Sequence, residues 1–600
     1  MSRAHTLAGL AVAAWLLAGC AVDPLHARRA AATAAAVQDH ALVCTAAEAC
    51  AIASPYAELA ARALGENAHY VNLLDRGEDA LLLRVHLLRA ARRSIDVQTF
   101  IFAEDDAGTL VLDELVKAAR RGVKVRVLVD QLFSLDDVEL LAALARAHAN
   151  FELRVYNPTF HKATTQPLEF AAGLLCCFAH FNHRMHNKLL LIDGAIGIAG
   201  GRNYENRYFD WDDEFDYRDR DVLVAGPGAG AAMQESFERF WAHPRSLPLS
   251  RLRDVSARIL ADGLNATPYR LHEYQRAARV AALSQRADDV DYIRTHFAAL
   301  ALTVRDAEYF SDAPDKFAAP DDAQANQLGQ HISDLLVSAR REIVLQTPYL
   351  VLSSKARRIF RELQRTQPQL HVLVSTNSLA ATDAFYVYAL SYKYKKRYLK
   401  LGFDIHEFKP FPAEAEDLIV NYANLGEDSE EARRYRKYGR APLTRGGVRL
   451  GLHAKSIVID GATTLVGSHN FDPRSDHYNT ESGFIIRDGA FAQALRASIL
   501  RDAAPENAWT IARREHHTAL SRINERIGDL SAKLPLFDLW PFRYASSFEL
   551  NDGCTPIPAD DLRFYDCYTD VGDFPQVNLS PKTIYTRIIT AFGAGLHSIL

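Results

Sequence analysis

The sequence predicts an α/β protein built from two copies of one domain. Three observations carry this. Helical stretches alternate with short apolar, β-rich runs along the chain, the pattern of helices layered on sheets. AARRSIDVQTFIF (90–102) returns as SARREIVLQTPYL (338–350), and RVLVD (126–130) returns as HVLVS (371–375). RMHNKLLLIDGAIGIAGGRN (185–204) returns as GLHAKSIVIDGATTLVGSHN (451–470). A repeat this long is a duplicated domain, not a solenoid unit. The 600 residues, 48% hydrophobic and 24% charged, are ample for such a globular chain. A net charge of −5 gives no global basic field, so no nucleic-acid partner is expected.

The chain is expected to divide as follows. Residues 1–19 read as a signal peptide: Arg3 precedes an apolar run, Leu7 to Ala18, too short to span a bilayer. The run ends in Leu17-Ala18-Gly19-Cys20, which resembles a bacterial lipobox. That resemblance implies acylation of Cys20 and attachment to a membrane surface, facing the periplasm of the cell envelope. Val22 stands where an Asp would signal inner-membrane retention, which favours the outer membrane. Residues 20–75 form a lead segment, 76–255 the first domain, and 256–325 a connecting helical segment. Residues 326–505 form the second domain and 506–600 a C-terminal extension. Within the second domain, 411–446 reads as a surface insertion, acidic then basic and without periodicity. In the extension, Ser580-Pro581 opens a helix whose Ile584, Ile588, Ile589 and Phe592 share one face, to dock on the body or lie on a membrane. Cys44/Cys50 and Cys554/Cys567 are close enough for local disulfides, whereas Cys176 and Cys177 read as buried thiols. No spacing reads as a zinc site.

The long repeat carries the chemistry. Residues two apart on a strand share a face, so His186 and Lys188 project together, as do His453 and Lys455. Asp193-Gly194 and Asp460-Gly461 mark hairpin turns. The return strands end in small residues that allow close backbone approach to a ligand, with Arg202 and Asn203, or Ser468 and Asn470, at the rim.

The doubled H-x-K-x(4)-D pattern resembles the phospholipase D superfamily. The resemblance implies phosphodiester exchange, which needs a nucleophile, an acid for the leaving alkoxide, and cations or donors for the non-bridging oxygens, and two such half-sites would supply all three. RDRDVLVAGP, QTPYLV (346–351), STNSLAATDA (375–384) and GSHNFDPRSDHYNTESGF (467–484) resemble the superfamily's cardiolipin synthase C type over roughly residues 70–510. The resemblance implies two phospholipase D-like αβα sandwich domains with mixed sheets, related by a pseudo-twofold axis, with the active site at their interface. It implies His186, Lys188, Asp193, His453, Lys455 and Asp460 as catalytic, with His186 as nucleophile forming a phosphohistidine and His453 as acid and base. Asp193 and Asp460 stand at turns, where a structural role competes. Asn203, Ser468 and Asn470 would bind phosphate. Glu481, and Asp221 with Asp219 two before it on the same strand face, would orient the imidazoles. No metal and no cofactor are implied. The substrates would be phospholipids, a phosphatidyl group passing from phosphatidylethanolamine or phosphatidylglycerol to phosphatidylglycerol. Hydrolysis to phosphatidic acid is the alternative, ahead of a nuclease or a non-catalytic lipid-binding lipoprotein. The YKYKKRY stretch (392–398) either meets anionic headgroups or is a solvated helix face. The sequence leaves the oligomeric state open.

Overall fold

The computed structural model describes residues 23–166, 168, 169, 173, 178–318, 322–425, 440–514, 544–580, 583 and 584. The signal peptide, Cys20, Cys176, Cys177, Ile588, Ile589 and Phe592 lie outside the described residues.

Each half is organised on a large mixed sheet. The first has the strand order Ser246–Pro248, Phe151–Tyr156, Lys124–Asp130, Ser94–Thr99, Leu189–Ile192, Ile196–Gly200, Asp221–Ala225, His69–Leu74, Leu302–Val304. The second has the order Ala307–Ser311, Ser482–Arg487, Thr463–Gly467, Ser456–Ile459, Glu342–Gln346, His371–Asn377, Phe403–Phe408, Ala508–Arg513, Ala545–Leu550, Tyr568–Gly572. The duplication is therefore topological. In each half three parallel strands meet the hairpin of the repeated motif, antiparallel to its neighbours. Parallel neighbours need crossovers, and helices such as Asp106–Arg121 and Ser354–Thr366 provide them. The first is capped by Asp105, which accepts from Gly108 N, and ends at Gly122 with φ 107°.

Both hairpins turn on the expected Asp-Gly pair. Asp193 and Gly194 have φ of 53° and 69°, and Asp460 and Gly461 of 54° and 66°, the double left-handed geometry of a type I′ turn. Strand alternation then sorts the side chains. Leu190, Ile192, Val97 and Val127 face the outer core of the first half, and Ile343, Leu345, Ile457 and Ile459 that of the second. The intervening residues Leu189, Leu191, Val222 and Val224 meet Val344, Val458, Val466 and Phe484 in one core shared by both halves. The halves are thus joined by hydrophobic burial, not by a linker alone.

Several expected boundaries move. Leu302–Val304 pairs with the first sheet and Ala307–Ser311 with the second, so the halves meet near residue 305. Leu283, Ala287 and Ile293 lie in the first half's outer core, so most of the expected connector belongs to that half. Strands at 508–513, 545–550 and 568–572 extend the second sheet, so the chain beyond 506 is partly integral to it. The expected surface insertion begins as core: Ala415, Leu418 and Ile419 pack with Leu450 and Leu452. Tyr392 and Tyr398 are buried and Lys395 pairs with buried Glu407 at 2.6 Å, so neither reading of the YKYKKRY stretch describes that face. Disulfides join Cys44 to Cys50 and Cys554 to Cys567, and Ile584 is buried against the helix Phe385–Lys400.

Two arginines cross the shared interface. Arg220 is fully buried and donates to Asp75 Oδ1 (2.6 Å), Gln346 Oε1 (2.5 Å) and Ser498 Oγ (2.7 Å). Arg218 donates to Asp502 Oδ1 at 3.0 Å. Removing one partner of a buried ion network strands the others' charge, at a cost of about 3–5 kcal/mol. Arg220→Ala is therefore expected to lower unfolding stability by about that amount. Chemical denaturation checks it, and a loss under about 1 kcal/mol would contradict this role for the network.

Candidate active site

Two short parallel ladders join the halves beside the shared core. Arg184–Met185 of the first half pairs with Asn479–Thr480 of the second. Phe215–Arg218 of the first half pairs with Arg449–Leu452 of the second. Each ladder runs one residue further through a backbone bond, His186 N to Thr480 O (3.0 Å) and His453 N to Arg218 O (2.8 Å). The register delivers one histidine and one carboxylate side by side each time. His186 Nδ1 meets Glu481 Oε2 at 2.8 Å, and His453 Nδ1 meets Asp219 Oδ2 at 2.6 Å. The pairing is crossed: each histidine takes its carboxylate from the other half.

The sequence expectation for Asp221 is corrected here. Residues 215–225 are not one strand but two, Phe215–Arg218 and Asp221–Ala225, so Asp219 and Asp221 diverge. Asp221 pairs with buried Arg84 (2.9 Å) and Arg202 (3.3 Å). The glycines thought to admit a ligand admit these aspartates instead. A Cβ on Gly201 would lie 2.1 Å from Asp219 Oδ1, and one on Gly200 2.3 Å from Asp221 Oδ1.

Lysine placement follows the motif. Lys188 Nζ donates to His186 O at 2.7 Å and lies over the Phe100 ring at 5.5 Å. Lys455 Nζ donates to His453 O and sits 2.8 and 3.1 Å from the two ring nitrogens of His453. Among the described residues no hydrogen bond reaches His186 Nε2. The aromatic rings that wall the histidines were not anticipated. Phe100 meets His186 edge-on at 5.0 Å, and Tyr208 and Tyr217 flank His453 at 5.2 and 4.7 Å. In sequence they are aromatic residues in a strand or a turn, with nothing to set them apart.

Other expected site residues do structural work. Asp193 accepts backbone N–H bonds from Arg92, Arg93 and Ser94, and Asp460 from Arg340, Arg341 and Glu342. Each lies seven residues beyond its histidine, about 20 Å along extended chain, and its carboxylate is used to hold the turn. The Ser468 hydroxyl donates to Glu481 Oε2 at 2.5 Å and accepts from Ser482 N at 3.0 Å, which commits it to Glu481 rather than to phosphate. The Asn203 side-chain oxygen accepts from Ile101 N at 3.1 Å, anchoring a strand end. Among the described residues the buried Asn470 side-chain oxygen has no partner, so that amide is the less committed of the two. Among the described residues no group of three or more His, Cys, Asp or Glu side chains is placed to hold a metal ion.

Burial sets the charge states. It pushes the His186 imidazole down to about 4 against the pull of Glu481, and His453 down as well. It also raises the carboxylates, but the paired histidines and the nearby cations, Lys188 and Lys455 among them, together outweigh it: Glu481 is held down at about 2 and Asp219 well below the usual range. At neutral pH the resting pairs are therefore neutral imidazoles, each Nδ1–H donating to an ionised carboxylate; a second proton, on Nε2, joins either ring only below the ordinary histidine value. Lys188 is brought down to about 7 and Lys455 to about 8, mainly by burial, so their charge is lost at and just above neutrality. Buried amines at the ready, beside an imidazole lone pair, suit an incoming phosphodiester anion.

The crossed pairing separates two aspartates that look alike in sequence. Asp219→Asn removes the acceptor that sets the His453 tautomer, and is expected to cut phosphodiester turnover about a hundredfold or more at unchanged melting temperature. Asp221→Asn strands Arg84 and Arg202, and is expected to lower the melting temperature first. Turnover and thermal unfolding of both variants check this; the reverse assignment of effects would restore Asp221 to the site.

Comparison with known proteins finds relatives for both halves. The family model described as cardiolipin synthase, PLD-like domain, matches residues 85–241 and 332–503, one match per half. Cardiolipin synthase C of Escherichia coli (strain K12) is 30% identical over 443 residues, 73% of this chain and 85% of that protein. A cardiolipin synthase of Clostridium perfringens (strain SM101 / Type A) is 23% identical over 451 residues, 74% of this chain and 72% of that protein. The crystal structure of phosphatidylserine synthase from Haemophilus influenzae Rd KW20 aligns with a TM-score of 0.46 at 14% identity, covering 74% of this chain and 90% of that one. With both halves matched and a 30%-identical relative covered over most of its length, the chain belongs to the cardiolipin synthase family of phospholipase D-like proteins.

Proposed function

We propose that the protein is a phosphatidyltransferase that makes cardiolipin through a phosphohistidine. The observation that carries this is the pair of crossed His–carboxylate contacts, with two buried lysines between them, at the junction of the halves. His186 is the nucleophile: its Nε2 lone pair is unencumbered, whereas the His453 ring is covered by Lys455. The donor is phosphatidylethanolamine or phosphatidylglycerol. His186 Nε2 attacks phosphorus, the bond from phosphorus to the headgroup oxygen breaks, and His453, entering the step protonated on both ring nitrogens, gives its Nε2 proton to the leaving alkoxide and is left in the neutral Nδ1–H form. The phosphatidyl group is then on His186. The terminal hydroxyl of phosphatidylglycerol gives its proton to His453 and attacks phosphorus, and His186 leaves. Lys188, Lys455 and the Asn470 amide offset the charge on the non-bridging oxygens. Cofactors take no part in this scheme. Acylated Cys20 would hold the enzyme on the periplasmic side of the cell envelope, with the outer membrane favoured by Val22. Among the described residues no helix is long and apolar enough to cross a membrane.

The charge states give a pH dependence. As pH falls toward about 4, His186 takes a proton and loses its lone pair, so kcat/KM falls. As pH rises, His453 first gives up its acidic proton, below the ordinary histidine value. Lys188 and Lys455 then discharge near about 7 and about 8. A bell-shaped profile on the acid side of neutrality is expected, and a profile flat between pH 5 and 9 would contradict it.

Purified protein given phosphatidylethanolamine and phosphatidylglycerol in mixed vesicles is expected to yield cardiolipin by mass spectrometry. His186→Ala or His453→Ala should each lower the yield at least about a thousandfold. Phosphatidic acid as the sole lipid product would favour a hydrolase, and full activity in either variant would exclude the two-histidine mechanism.

A further inference from the structure

Two sequence motifs find no use in the His–carboxylate pairs: QTPYLV (346–351) and STNSLAATDA (375–384). The fold brings both to the His453 side of the site. Tyr349 of the first donates its hydroxyl to Asp383 Oδ1 of the second at 2.8 Å. Tyr217, from the strand that delivers Asp219, donates to Asp383 Oδ2 at 2.8 Å. The Tyr217 ring also lies against His453, with 4.7 Å between centroids. One tyrosine ring therefore separates the Asp383 carboxylate from the imidazole. Asp383 and Tyr349 are half-buried, and neighbouring Tyr386 is 42% exposed, so the carboxylate stands at an open mouth.

A carboxylate framed by tyrosines is suited to an organic cation. Its oxygens accept N–H bonds, and each tyrosine bond uses one lone pair of an oxygen and leaves another. The ring faces add cation–π attraction. The site is then divided by sign. Lys188 and Lys455 serve the phosphate anion, and Asp383 stands one tyrosine ring away from His453, the group that protonates the departing alcohol in the proposed scheme. The amine of an ethanolamine headgroup is two carbons from the oxygen that His453 protonates. A glycerol headgroup brings no charge to that place.

We propose that Asp383, framed by Tyr217 and Tyr349, binds the primary ammonium of the departing headgroup and so sets the preference for an aminoalcohol donor over a glycerol donor. The proposal rests on His453 being the group that protonates the leaving alcohol. Asp383→Asn keeps one oxygen for a tyrosine and removes the charge. It is expected to lower the ratio of kcat/KM for phosphatidylethanolamine to that for phosphatidylglycerol as donor by about tenfold. An unchanged ratio, whatever the effect on total activity, would overturn the proposal, since a merely structural Asp383 would affect both donors alike. Binding provides the second measurement. The full chain carrying His186→Ala, which cannot turn over, is titrated with glycerophosphoethanolamine and glycerophosphoglycerol. Tighter binding of the former, abolished by adding Asp383→Asn, is expected, and equal affinities would overturn the proposal. If wild-type protein used neither lipid as donor, the transferase reading would fall while the titration still decided the role of Asp383.

Discussion

The site depends on two short ladders that cross between the halves. Each pairs a segment ending in a motif histidine with a segment ending in an acidic residue, and parallel register places the two side by side. A backbone register is a discrete quantity. A one-residue slip in the second ladder would set His453 against Arg218 or Arg220 instead of Asp219, inverting the field at the imidazole. Buried polar support holds the register. Asn187 donates to Ser311 Oγ (2.9 Å), Thr480 donates to Asn187 (2.6 Å), and Asp312 accepts from Glu481 N (3.0 Å). On the other side Arg218 and Arg220 tie Asp75 to Ser498 and Asp502.

These supports differ, and so do the two pockets. The histidine of the first half stands against an apolar Phe100 edge, that of the second against two tyrosines. A duplicated domain begins with two equivalent half-sites, but a displacement at phosphorus needs unequal roles for nucleophile and acid. The inequality is built by the neighbours of the histidines, since the motif residues themselves repeat.

Desolvation is what makes the repeated residues reactive. His186, Lys188, His453 and Lys455 are all buried, and burial is the largest influence on each of them. In water the same imidazoles would be half protonated near neutrality and the same amines fully charged. The shared hydrophobic core beside the ladders keeps solvent out, so packing and charge state are one design.

The sequence by itself determined the α/β class, the duplication, both hairpins and the two His–Lys pairs, because these are encoded by short-range periodicity and turn chemistry. Asp-Gly needs only its own φ angles to make a turn, and alternation needs only the strand. The local disulfides were legible for the same reason, their cysteines being close along the chain. Only the tertiary structure decided which acid serves which histidine. Asp219 and Asp221 are two apart in an alternating string, and nothing local says that the strand breaks between them. The partners of Ser468, Asp193 and Asp460 were hidden from the sequence for the same reason, since each is set by the fold. Glu481 was named from its place in the motif, yet its partner is 295 residues away in the chain. Such contacts form where two distant segments share a register, and only the packed core establishes that register.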